Sequence, residues 1–370
     1  MHIGCTNKLL KYIQVEATAA DTSVPPMLRW SANMVTIDRR RTIVVGNDSS
    51  RYGFVLYGIR AKDIKNLGSL ILDGIRSCLE AECIAPELIE RYLDECGSQI
   101  VYTKMPDRSV IARLNQLCAR ITWYADEFAD DRILQNHVVL GINADYITAW
   151  VGDKRAYVSV EEQFASDIST RYGVHPYRCK AAELEVELEL ESTCTRRIVV
   201  PLRYTFRQLH LMIQRLFCWQ GYHLHDFWIE YHPDGRLKHT LVGSPREFEI
   251  EGEVMQPDWD VQLSEVFPRL DHIIYNYDFG DNWIHHIRLE EIIEDYDKNY
   301  PVLIEGEGDA PPEDAGGPIG YAHLMRVLDD PDHPSHFELK AWFDRMRCAP
   351  FDIERINQLL KSSIRVHGSR

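Results

Sequence analysis

Nine consecutive residues, Glu183 to Glu191, alternate strictly between glutamate and an aliphatic side chain (ELEVELELE). A period of two places every glutamate on one face and Leu184, Val186, Leu188 and Leu190 on the other. This predicts a strand with one face in water and one in a core, because a helix would scatter both sets. The five glutamates are a solvated strand face before they are a site. Arg197–Val200 predicts a second strand, ended by Pro201. Thr205 with Gln208 three residues on predicts a capping box, and Phe206, Leu209, Ile213, Leu216 and Phe217 recur at helical spacing beyond it. Tyr222–Tyr231 reads as a further strand. Asp271–Phe279 and Trp283–Ile293 read as a long hairpin. Three helices close the chain over 321–328, 335–346 and 352–364, with Ser335/Glu338 and Asp352 as their caps. Strand, strand, helix, strand is the order of a β-grasp. The expected class is therefore α+β in two domains, the second a β-grasp-like mixed sheet with an added hairpin and C-terminal helices.

A chain of 370 residues accommodates about two domains. Charge divides it in the same way. Residues 1–175 carry 20 basic and 22 acidic side chains, against 21 and 35 in the rest. His175–Ala181 has no periodic pattern and is taken as the boundary, giving an α+β domain over 1–174 and a second domain over 178–370. The net charge of −16 argues against a general affinity for nucleic acid, which rests on neutralising phosphates. Nine cysteines without a CxxC pair fit small buried hydrophobes in a reducing cytoplasm. No window approaches the roughly 20 apolar residues of a membrane helix, and no basic segment leads into an apolar run at the start. A cytoplasmic protein without a membrane partner is expected.

Chemistry concentrates in YNYDFGDNWIHH (Tyr275–His286) and GEGDAPPEDAGG (Gly306–Gly317). The first predicts a hairpin with carboxylates at its turn and histidines on its return strand. The second is an acidic loop bracketed by Gly and Pro. His223 and His225, two apart on a strand, share a face, and His285 points inward where His286 points out. The candidate cluster is His223, His225, Asp278, Asp281, His285, Glu307, Glu313 and Asp314. Three histidines with carboxylates suit zinc, and carboxylates alone suit manganese or magnesium. A metal held by His223, His225 and His285, a structural polar network and a metal-free cleft all stay open. Asp278 and Asp281 also suit a turn. Arg39, Arg40 and Arg41 alternate along a hairpin edge, where a solvated edge is the simpler reading than a phosphate site. No GxSxG, P-loop or dinucleotide fingerprint occurs.

HLHDF (His223–Phe227), YDFGDNWIHHI (Tyr277–Ile287), GEGDAPPEDAGGPIGY (Gly306–Tyr321) and DPDHPSHFEL (Asp330–Leu339) together resemble the plasmid pRiA4b ORF-3-like family over about 178–365. The resemblance implies an α+β domain and an association with plasmid and mobile-element genes. It implies no reaction. Asp309 departs from the family pattern, where a small residue or a cysteine is common, so a metal argument based on a thiol there does not apply. KLLKYI (Lys8–Ile13), WSANMVTIDRRR (Trp30–Arg41), VVGNDSS (Val44–Ser50) and DRSVIARLN (Asp107–Asn115) resemble a bacterial domain of unknown function over about 1–170.

The expectation is an accessory or interaction protein without catalysis of its own, working with a protein partner. The alternative is a divalent-metal-dependent hydrolase, nuclease-like or phosphodiesterase-like, that activates water on the Asp/Glu/His cluster.

Overall fold

The computed structural model describes residues 1–97, 99–151, 154–231, 238–243, 256–347 and 350–363. The chain divides into two compact units, Met1–Arg178 and a second that begins at Cys179.

In the first unit, β1 (His2–Cys5) leads into α1 (Asn7–Ile13), whose N-terminus is capped by Thr6. β2 (Arg29–Ile37), β3 (Arg40–Asn47) and β4 (Gly53–Leu56) form an antiparallel meander. α2 (Leu67–Ala81) and α3 (Pro86–Cys96) precede β5 (Val101–Lys104). Sheet order is β4-β3-β2-β1-β5, with β1 parallel to both neighbours. α4 (Arg108–Ile121) covers the meander, and Gly46 and Gly53 let it come close. A Cβ at Gly53 would stand 2.4 Å from Leu117. The short α5 (Val139–Ile142), the hairpin β6 (Tyr146–Val151)–β7 (Lys154–Ser159) and α6 (Val160–Tyr172) complete the unit. Phe164 of α6 enters the core between Trp30 and Tyr52.

The second unit is built on β8 (Cys179–Leu188) and β9 (Thr195–Pro201). From Glu183 to Leu188 burial follows the alternation, with Leu184, Val186 and Leu188 buried and the glutamates between them half-buried; the strand ends there, short of the predicted Glu191, and Leu190 is half-buried rather than buried. The glutamate face is met by arginines: Arg197 pairs with Glu183 and Arg288 with Glu187. α7 (Phe206–Leu216) starts at the predicted capping box, in which the Thr205 N–H donates to Gln208 Oε1 at 2.9 Å. Its buried face joins the core side of the sheet, with Phe206 edge-on to Phe227. β10 (His225–Tyr231), β11 (Lys238–Gly243), the two-residue β12 (Gln256–Pro257) and the short α8 (Leu263–Val266) follow. Then come β13 (His272–Tyr277), β14 (Trp283–Tyr296) and β15 (Val302–Glu307).

Helices α9 (Gly317–Asp329), α10 (His336–Met346) and α11 (Ile353–Ser363) end the described chain. Asp352 caps α11, its Oδ1 accepting the Arg355 N–H at 3.0 Å. Ser335 does not cap α10 as its spacing with Glu338 suggests. Its N–H donates to His333 Nδ1 instead, and no side-chain cap forms. The last predicted helical residue, 364, lies outside the described residues.

The class is α+β, as the periodicities indicate. The β-grasp-like mixed sheet does not describe the centre of the second unit. Sheet order is β12-β11-β10-β13-β14-β8-β9-β15. Each ladder from β11 to β15 is antiparallel, and only the two-residue β11·β12 pair is parallel. The reason is the long hairpin. It inserts β13 and β14 between β10 and β8, and hairpin neighbours are antiparallel by construction.

Among the described residues no helix is long and apolar enough to cross a membrane. Cys218 is half-buried and the other described cysteines are buried, and none of them forms a disulfide. Cys348 lies outside the described residues.

Candidate functional site

The β13–β14 hairpin pairs Tyr277 with Trp283, leaving Asp278–Asn282 as its tip. Asp278 and Asn282 both take left-handed backbone, which Asp and Asn tolerate better than most residues. The tip is closed by the Asn282 N–H on the Asp278 carbonyl at 2.5 Å, and Asp278 Oδ1 accepts the Gly280 N–H at 3.0 Å. That leaves Asp278 Oδ2 to face His223, whose Nε2 lies 3.5 Å away. Asp314, also in left-handed backbone, brings its Oδ1 to 3.2 Å from the same nitrogen. His223, Asp278 and Asp314 thus offer one ligand atom each, all within 4.8 Å of one another.

The acidic loop is anchored to the hairpin by its own backbone. Asp281 Oδ2 accepts the Gly316 N–H at 3.0 Å. A Cβ at Gly317 would stand 2.2 Å from the Asp281 carbonyl oxygen, and its φ of +68° suits glycine, so close approach needs that residue. Glu313 is buried behind the cluster. It accepts the Tyr277 hydroxyl at 2.5 Å and the Gln220 N–H at 3.0 Å. Burial, reinforced by this carboxylate, pushes the Tyr277 phenol well above its usual range. The mouth is partly solvated: the side chains of His223, Asp278 and Asp314 are 31%, 13% and 63% exposed. Tyr222 and Phe279, the chain neighbours of His223 and Asp278, present exposed rings.

A second polar group lies in the core between α7 and the sheet. His225 Nε2 is 3.0 Å from Asp258 Oδ2, and both side chains are essentially excluded from solvent. Arg207 approaches the same oxygen at 3.6 Å. His210 stacks on His225, and its Nδ1 meets the Tyr275 hydroxyl at 2.8 Å, which also accepts from Gln214 Nε2 at 3.0 Å. Burial, then the neighbouring His225 and Arg207, hold the His210 imidazole well below its usual pKa.

The eight candidate residues therefore separate. His223, Asp278 and Asp314 meet at the mouth, with Asp281 and Glu313 supporting them. The three-histidine ligand set does not assemble. His225 is drawn inward to Asp258. His285 is inward, as the alternation requires, but it sits among Phe217, Trp219 and Tyr275 with Nδ1 3.1 Å from the Trp283 carbonyl. Burial pushes its pKa down to about 3. Glu307 ends β15, at the far edge of the sheet from β10, with an exposed side chain. Its backbone carbonyl serves Arg196, whose Nη1 donates to it at 2.8 Å.

His210, Gln214, Arg207 and Asp258 were not among the candidates. His210 and Gln214 did carry a signal. Each follows the last by one helical turn from Phe206, on the apolar stripe, where a polar side chain must find a buried partner. Asp258 carried none.

Comparison with known proteins follows this division. The sequence profile of the plasmid pRiA4b ORF-3-like protein family matches residues 180–359, and that of a domain of unknown function, DUF6933, matches 2–161. Uncharacterized protein y4hQ of Sinorhizobium fredii (strain NBRC 101917 / NGR234) is 32% identical over 160 residues, which cover 43% of this chain and 78% of that protein. The crystal structure of the protein of unknown function MM3350 from Methanosarcina mazei Go1 shows 32% identity and a TM-score of 0.42. It covers 48% of this chain and 97% of its own.

Proposed function

This chain belongs to the plasmid pRiA4b ORF-3-like family, and on that footing we propose that its second unit is a divalent-cation-dependent interaction module. An accessory role at plasmid or mobile-element loci is the setting, and buried cysteines outside any disulfide fit a reducing cytoplasm. One observation carries the reading: His223, Asp278 and Asp314 converge from three separate segments at a partly solvated mouth, and Tyr222 and Phe279, beside two of them in the chain, are exposed. One imidazole and two carboxylates suit zinc or manganese and leave coordination positions for an acidic or carbonyl group of a partner. Aromatic rings such as these are enriched at protein interfaces.

Hydrolysis would use the same ligands and the same open positions, with a metal-bound water as nucleophile. It would also call for a base near that water. Two further acids of the same segments already accept backbone or phenol hydrogens, Asp281 from Gly316 and Glu313 from Tyr277 and Gln220. That engagement favours binding over catalysis.

The test is thermal melting of the full chain with zinc or manganese against EDTA. A saturable rise in Tm that His223→Ala removes is expected, because a ligand of the folded state alone stabilises it by mass action. No shift with either metal would overturn the reading. Metal-dependent cleavage of a phosphodiester such as bis(p-nitrophenyl) phosphate, lost in Asp278→Ala, would replace it with the hydrolase.

A further inference from the structure

The first unit holds a cluster of arginines unrelated to the hairpin mouth. β3 ends at Asn47, and the turn to β4 is wound on the Asn47 side chain, whose Oδ1 accepts the N–H groups of Ser49 and Ser50 at 3.1 and 3.2 Å. Arg51 closes this turn in left-handed backbone, φ +67°, with its N–H on the Asn47 carbonyl at 3.1 Å. A non-glycine residue rarely takes that conformation. Here it lets Arg51 line a narrow cleft against α4, together with Arg113 and with Val110, Leu114 and Leu117. Arg120 lies two turns along α4 from Arg113, near enough to Arg51 for their charges to interact.

Asp48 lines the cleft as well, and both it and Asp145 are already engaged. Asp48 Oδ1 accepts the Ser31 hydroxyl at 2.6 Å, and its Oδ2 lies 3.5 Å from Arg29. Asp145 pairs with Arg120 at 2.5 Å. Arg113 donates one Nη1 hydrogen to the Asp48 carbonyl at 3.0 Å and its Nε to the Ser109 carbonyl at 3.4 Å, leaving Nη2. Among the described residues no carboxylate bonds to the Arg51 guanidinium. Burial, then Arg113 and Arg120, lower its pKa, which expresses the same crowding of like charge.

We propose that the cleft between the Asn47–Arg51 turn and α4 binds a phosphoryl group, held by Arg51 and Arg113 with Arg120 at its rim. Half-buried guanidiniums lining one cleft are unfavourable alone and favourable around a dianion, to which each offers a planar fork of donors. A single carboxylate would be satisfied by one arginine. The cleft is small and open to solvent, so the phosphoryl group sits at its mouth and the rest of a phosphorylated ligand lies outside it. The chain has a net charge of −16, and this local excess of arginine makes one small anion welcome where a polyanion is not.

Calorimetric titration of the full chain with inorganic phosphate, and separately with glycerol 3-phosphate, tests this in chloride buffer of constant ionic strength containing EDTA. Saturable binding of at least one probe is expected, weakened about tenfold or more by Arg51→Met. Arg39→Met, an exposed arginine of the β2–β3 turn, leaves it unchanged. Arg51→Lys, which keeps the charge and loses the fork, falls between, so the test survives if Arg51→Met does not fold. Absence of saturable binding by both probes, or equal affinity in a folded Arg51→Met, overturns the proposal.

Discussion

His210 and His225 lie face to face, ring centroids 3.6 Å apart and planes 9° from parallel. The far end of each is occupied, by the Tyr275 hydroxyl for His210 and by Asp258 for His225. Asp258 already faces the Arg207 guanidinium at 3.6 Å, so it has no second charge to offer a protonated stack in this dry setting. Burial, then His225 and Arg207, depress the pKa of His210, so this ring of the stack stays neutral.

Acid should destabilise the second unit for this reason. His210 and His285 have folded pKa values below the unfolded value of about 6.5. The unfolded chain then takes up protons first. Their contribution is fully present above pH ~6.5 and is lost as pH falls toward the folded values, near 3 for His285. Each such ring contributes a slope of about 1.4 kcal/mol per pH unit in that window. His285→Leu should flatten urea-derived stability between pH 6 and 4 by about that amount per unit, and an unchanged slope would refute the assignment.

The two faces of β8 should respond differently to truncation. Leu188 is 1% exposed in the core, so Leu188→Ala should cost ~2–5 kcal/mol. Glu187 meets Arg288 at 2.6 Å with both side chains 42% exposed, and Glu187→Ala should stay within about 1 kcal/mol. Chemical denaturation of both variants measures the difference, and equal losses would mean the faces are misassigned.

Gly317 should be intolerant of a side chain. Alanine there must move the Asp281 carbonyl or the acidic loop, and either shift displaces Asp314 from His223. Gly317→Ala should reduce the metal-induced rise in Tm, whereas Gly173→Ala, with open space around it, should not. Equal rises in both would show that the loop plays no part in positioning the ligands.

Arg196 should resist replacement by lysine. It is 2% exposed, donates to the carbonyls of Leu216, Thr195, Glu307 and Gly308, and lies against the ring of Phe351. An ammonium cannot span that fork. Arg196→Lys should destabilise by about 1–3 kcal/mol, the cost of buried acceptors left unpaired. A Tm within a degree of the parent would show the fork to be dispensable.

Local rules read well here, and long-range ones did not. The alternation of Glu183–Leu188 and the Thr205–Gln208 cap depend on neighbours within four residues, and both form. The same holds for the Asp278–Asn282 turn. His225 was drawn away from His223 by Asp258, a partner no local pattern reveals. Sequence proximity misled at Glu307. It is six residues from Glu313, yet one ends an edge strand while the other is buried behind the mouth. In the fold, sheet order decides which side chains meet.

That order has a kinetic consequence for the hairpin mouth. His223 precedes β10, Asp278 follows β13 and Asp314 precedes α9, so their meeting waits on contacts that are distant along the chain and late to close. An ion or partner that recognises all three has nothing to grip on a half-built sheet. It cannot nucleate folding, and it holds the finished unit against opening. Occupancy of the mouth then counts assembled molecules.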